Sequence, residues 1–216
     1  MNNLRKTDVL LAFVIGCLDA LLIVLIARNL AIEIPVIKIA LKYKNYFITA
    51  LPILLVAALI VSYFLSRLFN IVYQFAKFIL VGSLNFLIDM GVLNFLIFYT
   101  GISVGLTQSA FKGISFIAAV INSYVWNKFW TFSHSKTNRV GKEFLQFLVI
   151  STVGFFINLG VDYYLVNIIH PFWGMQAKTW AQFSAMIAAI IALVWNFIGY
   201  KFIVFEVHPV RKPSHF

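Results

Sequence analysis

Of 216 residues, 62% are of hydrophobic types and only 11% are charged, with a mean hydropathy of +0.94. A single water-soluble core cannot absorb that much apolar surface, so lipid is the expected solvent. The formal charge of +10 comes from basic residues lying between apolar runs; that is the distribution of loops at an anionic membrane surface, and nucleic acid is not an expected partner.

In chain order, stretches able to cross about 30 Å of hydrocarbon as helices of about 20 residues run from about 9 to 27, 47 to 66, 78 to 99, 113 to 132, 145 to 168 and 180 to 203. The fold class expected is therefore an all-α membrane protein of about six transmembrane helices. The first span follows Arg5 and Lys6 without a small-x-small cleavage site and reads as an uncleaved anchor. Its Cys17 is the chain's one cysteine, so neither a disulfide framework nor a thiolate metal cluster is available. Between the first two spans, Ile32, Ile34, Val36, Ile37, Ile39 and Leu41 around Pro35 suit a short segment lying in the headgroups.

Six spans place both termini on one side. That side carries Arg5, Lys6, Arg67, Lys77, Lys128, Lys136, Arg139, Lys142, Lys201, Arg211 and Lys212, against Arg28, Lys38, Lys42, Lys44, Lys112 and Lys178 on the other. The positive-inside rule then makes this a multi-pass protein of the cell membrane with cytoplasmic termini. The connections leave no room for a soluble catalytic domain of roughly 50 or more residues, so the protein is not expected to be an enzyme. The histidines His134, His170, His208 and His215 have no ligand spacing, and neither metal nor cofactor is expected.

The last four spans repeat. A shift of 69 residues lays Phe78, Gly82, Phe86, Ile88, Asp89, Gly91 and Val92 over Phe147, Ser151, Phe155, Ile157, Asn158, Gly160 and Val161, and Val125-Trp126-Asn127 over Val194-Trp195-Asn196. The closing Lys128 to Phe132 matches Lys201 to Phe205 at a shift of 73, after four extra residues, Phe197 to Tyr200. That insertion amounts to about one helical turn. Each copy is a helix pair, so the copies enter the membrane from the same side, as a parallel repeat. The division expected is a two-span extension (1–71), a four-helix domain (72–206, repeats about 75–132 and 144–205) and a short basic cytoplasmic tail (207–216).

Helical spacing gathers small and polar residues on one face of each repeated span. These faces are Gly82, Asn85 and Asp89; Ser115, Ala119, Ser123 and Asn127; Ser151, Gly154, Asn158 and Asp162; and Ser184, Ala188, Ala192 and Asn196. The four faces are expected to meet. Close packing of membrane helices explains the Ser and Ala positions without any function. Asp89 is different, because an acid within a span costs about 2.5 to 3.5 kcal/mol or more unless paired or hydrated. Asp19 and Asp162 are read as structural acids, Asp162 near the external water and either able to pair with an Asn or Lys112. Lys128 and Lys201, near the cytoplasmic ends of their spans, suit both interfacial anchoring and capture of a lipid phosphate.

The opening Phe75-x-Lys77-Phe78-x-x-Val81-Gly82, with the closing Trp126-Asn127 then Lys128-Phe129-Trp130-Thr131-Phe132, and its second form at 195–205, resembles the GtrA-like family over about residues 72–206. The resemblance implies a four-helix membrane unit of cell-surface polysaccharide synthesis and carries Lys77, Lys128 and Lys201 over as basic motif positions. The function it implies is a flippase-like translocase for a polyprenyl-phosphate-linked sugar, with Lys128 and Lys201 receiving the phosphate. Asp89, Asn85, Asn122 and Asn158 would bond the sugar, with Asn127 and Asn196 adjoining. One alternative is a non-catalytic subunit docking a separate glycosyltransferase through Trp126, Trp130 and the basic 136–142 stretch. Another is a proton-coupled exporter of small cations using Asp89. The copies differ where Lys77 and Asp89 meet Gln146 and Asn158, and the two added spans have no assigned role.

Overall fold

The computed structural model describes residues 4–30, 35–133, 140–169, 171 and 176–205. The basic residues Lys136 and Arg139, the four histidines and the 207–216 tail lie outside them.

The described residues form helices and the turns that join them, with no strand among them, as expected of an all-α membrane protein. In order they form α1 (Lys6–Leu30), α2 (Pro35–Lys42), α3 (Lys44–Leu65), α4 (Val72–Thr100), α5 (Gly105–Trp126) with a π-helix (π1, Asn127–Thr131), then α6 (Val140–Asn167) and α7 (Ala177–Gly199) with a second π-helix (π2, Tyr200–Val204). Five helical stretches are long and apolar enough to cross a membrane: α1, α3, α4, α6 and residues 179–204. The remaining expected span, 113–132, is the body of α5 with π1. Lys112, Ser115, Asn122 and Ser123 dilute its hydropathy, and these polar residues are largely the ones it turns toward α4. With apolar side chains such as Phe86, Phe95, Phe98, Phe116 and Phe155 facing outward, this is an integral multi-pass membrane protein.

Packing divides the chain into two compact units after Ser133. In the first, α1 runs parallel to α4: Asp8 bonds Tyr73 and pairs with Lys77, Asp19 accepts from Ser83, and Asn29 bonds Asn94. Helix α3 returns antiparallel to α1, and the two approach most closely where Gly16 faces Pro52. A Cβ on Gly16 would lie 2.5 Å from the Pro52 Cα, so only glycine permits this contact. The core of this unit gathers Ala12, Ile15, Leu59, Tyr73, Leu80, Val81, Leu84 and Trp130. Helices α1 and α3 are thus packed onto α4. Helix α4 ends at Gly101, whose left-handed φ of 72° closes a bond from its N–H to the Ile97 carbonyl. A short turn then sends α5 back along α4.

The second unit is the antiparallel pair α6 and α7 with π2. The Trp180 indole donates to the carbonyls of Leu165 and Ile169 at one end, and Trp195 donates to the Ile150 carbonyl nearer the other. Between them Gly199 lies against Ile150, and Gly154 lies under the Asn196 carboxamide.

Candidate functional site

Helix α4 carries two polar stripes, and the 3.6-residue period sends them to different neighbours. Toward α5 it presents Gln74, Asn85 and Asp89. Gln74 donates to the Thr131 carbonyl at 3.2 Å, Asn85 accepts from Asn122 at 2.5 Å, and Asp89 accepts from Ser115 at 2.6 Å while pairing with Lys112. Asn85 and Asp89, expected on one face of this span, thus both meet α5, through Asn122 and Ser115. Gly82, expected on that face, has no atom within 4 Å of where a Cβ would stand, so it mediates no close approach. Lys112 pairs with Asp89 rather than with Asp19, because Asp19 sits on α1 and meets α4 through Ser83.

Toward α1 the same helix presents Tyr73 and Lys77, one turn apart. Asp8 Oδ1 lies 2.8 Å from the Lys77 ammonium and accepts from the Trp130 indole at 2.9 Å, while Oδ2 accepts from the Tyr73 hydroxyl at 2.9 Å. The ammonium also faces the Tyr73 ring at 4.5 Å and the Trp130 ring at 5.5 Å. All four residues are buried. Asp8 was not among the residues singled out by spacing, although an acid opening an apolar span beside Arg5 and Lys6 was visible. Trp130, expected on a docking surface, is only 4% exposed and is committed to Asp8.

At the end of α5 the helix widens. The Phe132 N–H bonds the Asn127 carbonyl at 2.8 Å, five residues back, and of residues 127–132 only Phe129 faces outward. Lys128 is 8% exposed, donates to the Tyr124 hydroxyl at 3.2 Å and lies 5.4 Å from that ring. Asn127 is buried, with its amide donating to the Ser123 carbonyl and its Oδ1 without a donor among the described residues. Such a π-turn in an otherwise α-helical run is often a functional feature.

The second unit reproduces this end. The Phe205 N–H bonds the Tyr200 carbonyl at 2.8 Å, again five residues back. Lys201, one residue after Tyr200 as Lys128 is one after Asn127, lies over the Phe197 ring at 5.8 Å and the Phe202 ring at 5.5 Å. Phe78 and Phe132 have ring centroids 6.4 Å apart at 57°; their counterparts Phe147 and Phe205 are 6.4 Å apart at 53°. Asn196, like Asn127, keeps a buried Oδ1 with no donor among the described residues. Further along α6, Asn158 and Asp162 are half-buried, and Asp162 Oδ1 has no hydrogen-bond partner among the described residues. Ser151 and the Tyr200 hydroxyl bond at 2.6 Å, and Tyr200 stacks on Phe147 at 4.4 Å.

The family model described as GtrA/DPMS, transmembrane domain, matches residues 77–205. A Bacillus subtilis (strain 168) protein named "Uncharacterized membrane protein YngA" is 34% identical over 129 residues, which are 60% of this chain and 77% of that protein. No solved structure matches.

Proposed function

The chain belongs to the GtrA/DPMS transmembrane-domain family, and from that premise we propose that it moves a polyprenyl-phosphate-linked sugar across the membrane for cell-surface polysaccharide or glycoconjugate synthesis. Membership itself points to lipid-linked sugar or polysaccharide synthesis. The observation that carries the finer reading is the lysine-bearing π-helix closing a repeated pair, present once in each unit. In both, an ammonium is held against aromatic rings at the end of a polar helix face. Lys is a compact charge with three donors, suited to a phosphate.

In this reading the phosphate meets Lys128 and Lys201 on the cytoplasmic side. Asp89, Asn85, Asn122 and Asn127 of the first unit, and Asn158 and Asn196 of the second, offer the sugar hydroxyls hydrogen bonds within each unit, and the polyprenyl tail stays in lipid. Polar groups along the path offset the several kcal/mol or more that a headgroup would otherwise cost in hydrocarbon, by roughly the price of its unmade hydrogen bonds. The protein works without a catalytic group of its own. The exporter reading is weakened because Asp89 already faces a cation, Lys112.

The test is headgroup accessibility of a polyprenyl-phosphate sugar in reconstituted vesicles. Lys128→Ala/Lys201→Ala is expected to abolish translocation while leaving the thermal transition in place. Intact translocation, together with lost sugar transfer by a co-reconstituted glycosyltransferase, would overturn the translocase and establish a docking subunit. Outward-facing Phe129 and Phe202 on the two π-helices are the surface that favours this second reading.

A further inference from the structure

We propose that Tyr73, Lys77 and Trp130 form an anion-binding site for a phosphate group, and that Asp8 of the first span occupies it as an internal stand-in. Three donors from α4 and π1 converge on one carboxylate that a different helix delivers. Two of them crowd a single oxygen: Oδ1 takes Lys77 at 2.8 Å and Trp130 at 2.9 Å, leaving only Tyr73 for Oδ2 at 2.9 Å. A phosphate monoester has three terminal oxygens and gives each donor its own.

The donors have contacts besides Asp8. The Lys77 ammonium lies between the Tyr73 and Trp130 rings, whose faces attract a cation whatever its anion. Tyr73 and Lys77 are one turn apart within α4, and Trp130 is fixed in π1 and packed edge-on against Trp126. A buried ammonium deprived of its anion is strongly unfavourable, so a vacated site draws in another anion. Asp8, by contrast, lies in the first turn of α1, where it can leave once another anion takes over its three donors. The bonds Asp19–Ser83 and Asn29–Asn94 hold the rest of α1 in place while that turn moves.

Position selects a phosphate at headgroup depth. Asp8 is two residues into a membrane-length helix, and the same end of this unit holds π1 with Lys128. The inference deepens the lipid-phosphate reading above by giving Lys77 a state in which it meets the phosphate monoester of the polyprenyl carrier without its sugar, whose third terminal oxygen the sugar-linked diester lacks, and it rests on that reading for the lipid's identity alone. Binding is read in detergent without any translocation, so its failure and the vesicle assay's failure are separate results.

Purified full-length wild type, Asp8→Ala and Asp8→Asn are unfolded thermally with inorganic phosphate, with chloride at matched ionic strength, or with short-chain phosphatidic acid against phosphatidylcholine in the micelle. Both variants are expected to gain about 3 °C or more with phosphate or phosphatidic acid, saturably, while wild type stays flat because its own carboxylate fills the site. Adding Lys77→Gln to either variant is expected to remove the gain. A response to phosphatidic acid alone identifies a lipid headgroup as the natural anion; a response to both identifies the phosphate group itself. If the variants respond as wild type does, or fold in no anion at all, the proposal is overturned.

Discussion

A carboxylate within a membrane span is costly unless partnered or hydrated, and Asp89 has two partners, the Ser115 hydroxyl and the Lys112 ammonium. The lysine is about half exposed, so this ion pair contributes only about 0–1 kcal/mol to stability. Ser115 also reaches the Lys112 carbonyl at 3.0 Å and keeps an acceptor if Asp89 changes. Asp89→Asn is therefore expected to leave the melting temperature nearly unchanged. If the carboxylate bonds a sugar hydroxyl, losing a charge-assisted bond of about 1.5–3 kcal/mol slows vesicle translocation roughly ten- to hundredfold. An unchanged rate would remove Asp89 from the path. The Asn85–Asn122 bond is of another kind, an amide pair holding two helices together. Asn122→Ala is expected to cost about 0.6–1.7 kcal/mol of stability, seen as a lowered midpoint in detergent.

Between helices, the tightest constraint is a glycine against backbone. A methyl on Gly16 would stand 2.5 Å from the Pro52 Cα, and a proline inside a helix cannot retreat without moving α3. Gly16→Ala is expected to destabilise by about 1–3 kcal/mol, the range for overpacking. Gly82→Ala meets nothing within 4 Å and is expected to be neutral or stabilising by up to about 1 kcal/mol, as alanine favours helix. Equal losses for the two, measured by thermal unfolding, would contradict the packing of α1 on α3. The π-helices make a related point at the repeat's ends. Each lengthens the last hydrogen bond to five residues, and in π1 this buries Asn127, Lys128, Trp130, Thr131 and Phe132 together. An ordinary helix would have turned part of that run to lipid.

At the scale of the whole molecule, charge predicts which end faces the cytoplasm. The basic residues favour the end bearing Lys77 and Lys128, and Asp8, Tyr73 and Trp130 gather there. Ser133 lies just beyond π1, while Ser103 lies in the turn between α4 and α5 at the opposite end of that pair. In a Cys17→Ser background, a cysteine replacing Ser103 is expected to react with an impermeant maleimide on intact cells. One replacing Ser133 is expected to react only after the membrane is opened. The reverse pattern would invert the proposed topology and place the lysine-bearing π-helices outside.

Hydropathy was enough to establish a helical membrane protein, and the motifs opening at Phe75 and closing at Phe132 and Phe205 carried the resemblance to the GtrA/DPMS family. These signals are local: a span is read from its own length, and a face from residues three and four apart. The short segment singled out near Pro35 is the helix α2. What packing decided was where each polar group spends its hydrogen bonds. Lys77 belongs to Asp8 although 69 positions separate them, Trp130 turns inward instead of offering a docking surface, and Lys112 takes Asp89 rather than Asp19. The π-turns were equally hidden, since Asn127-Lys128-Phe129-Trp130-Thr131 and Tyr200-Lys201-Phe202-Ile203-Val204 have no helix-widening residue in common beyond the lysine and phenylalanine. In lipid, backbone bonds are met within each helix, so the period is legible from sequence. A buried side chain has to find its partner on another helix, and that choice is made only when the helices pack.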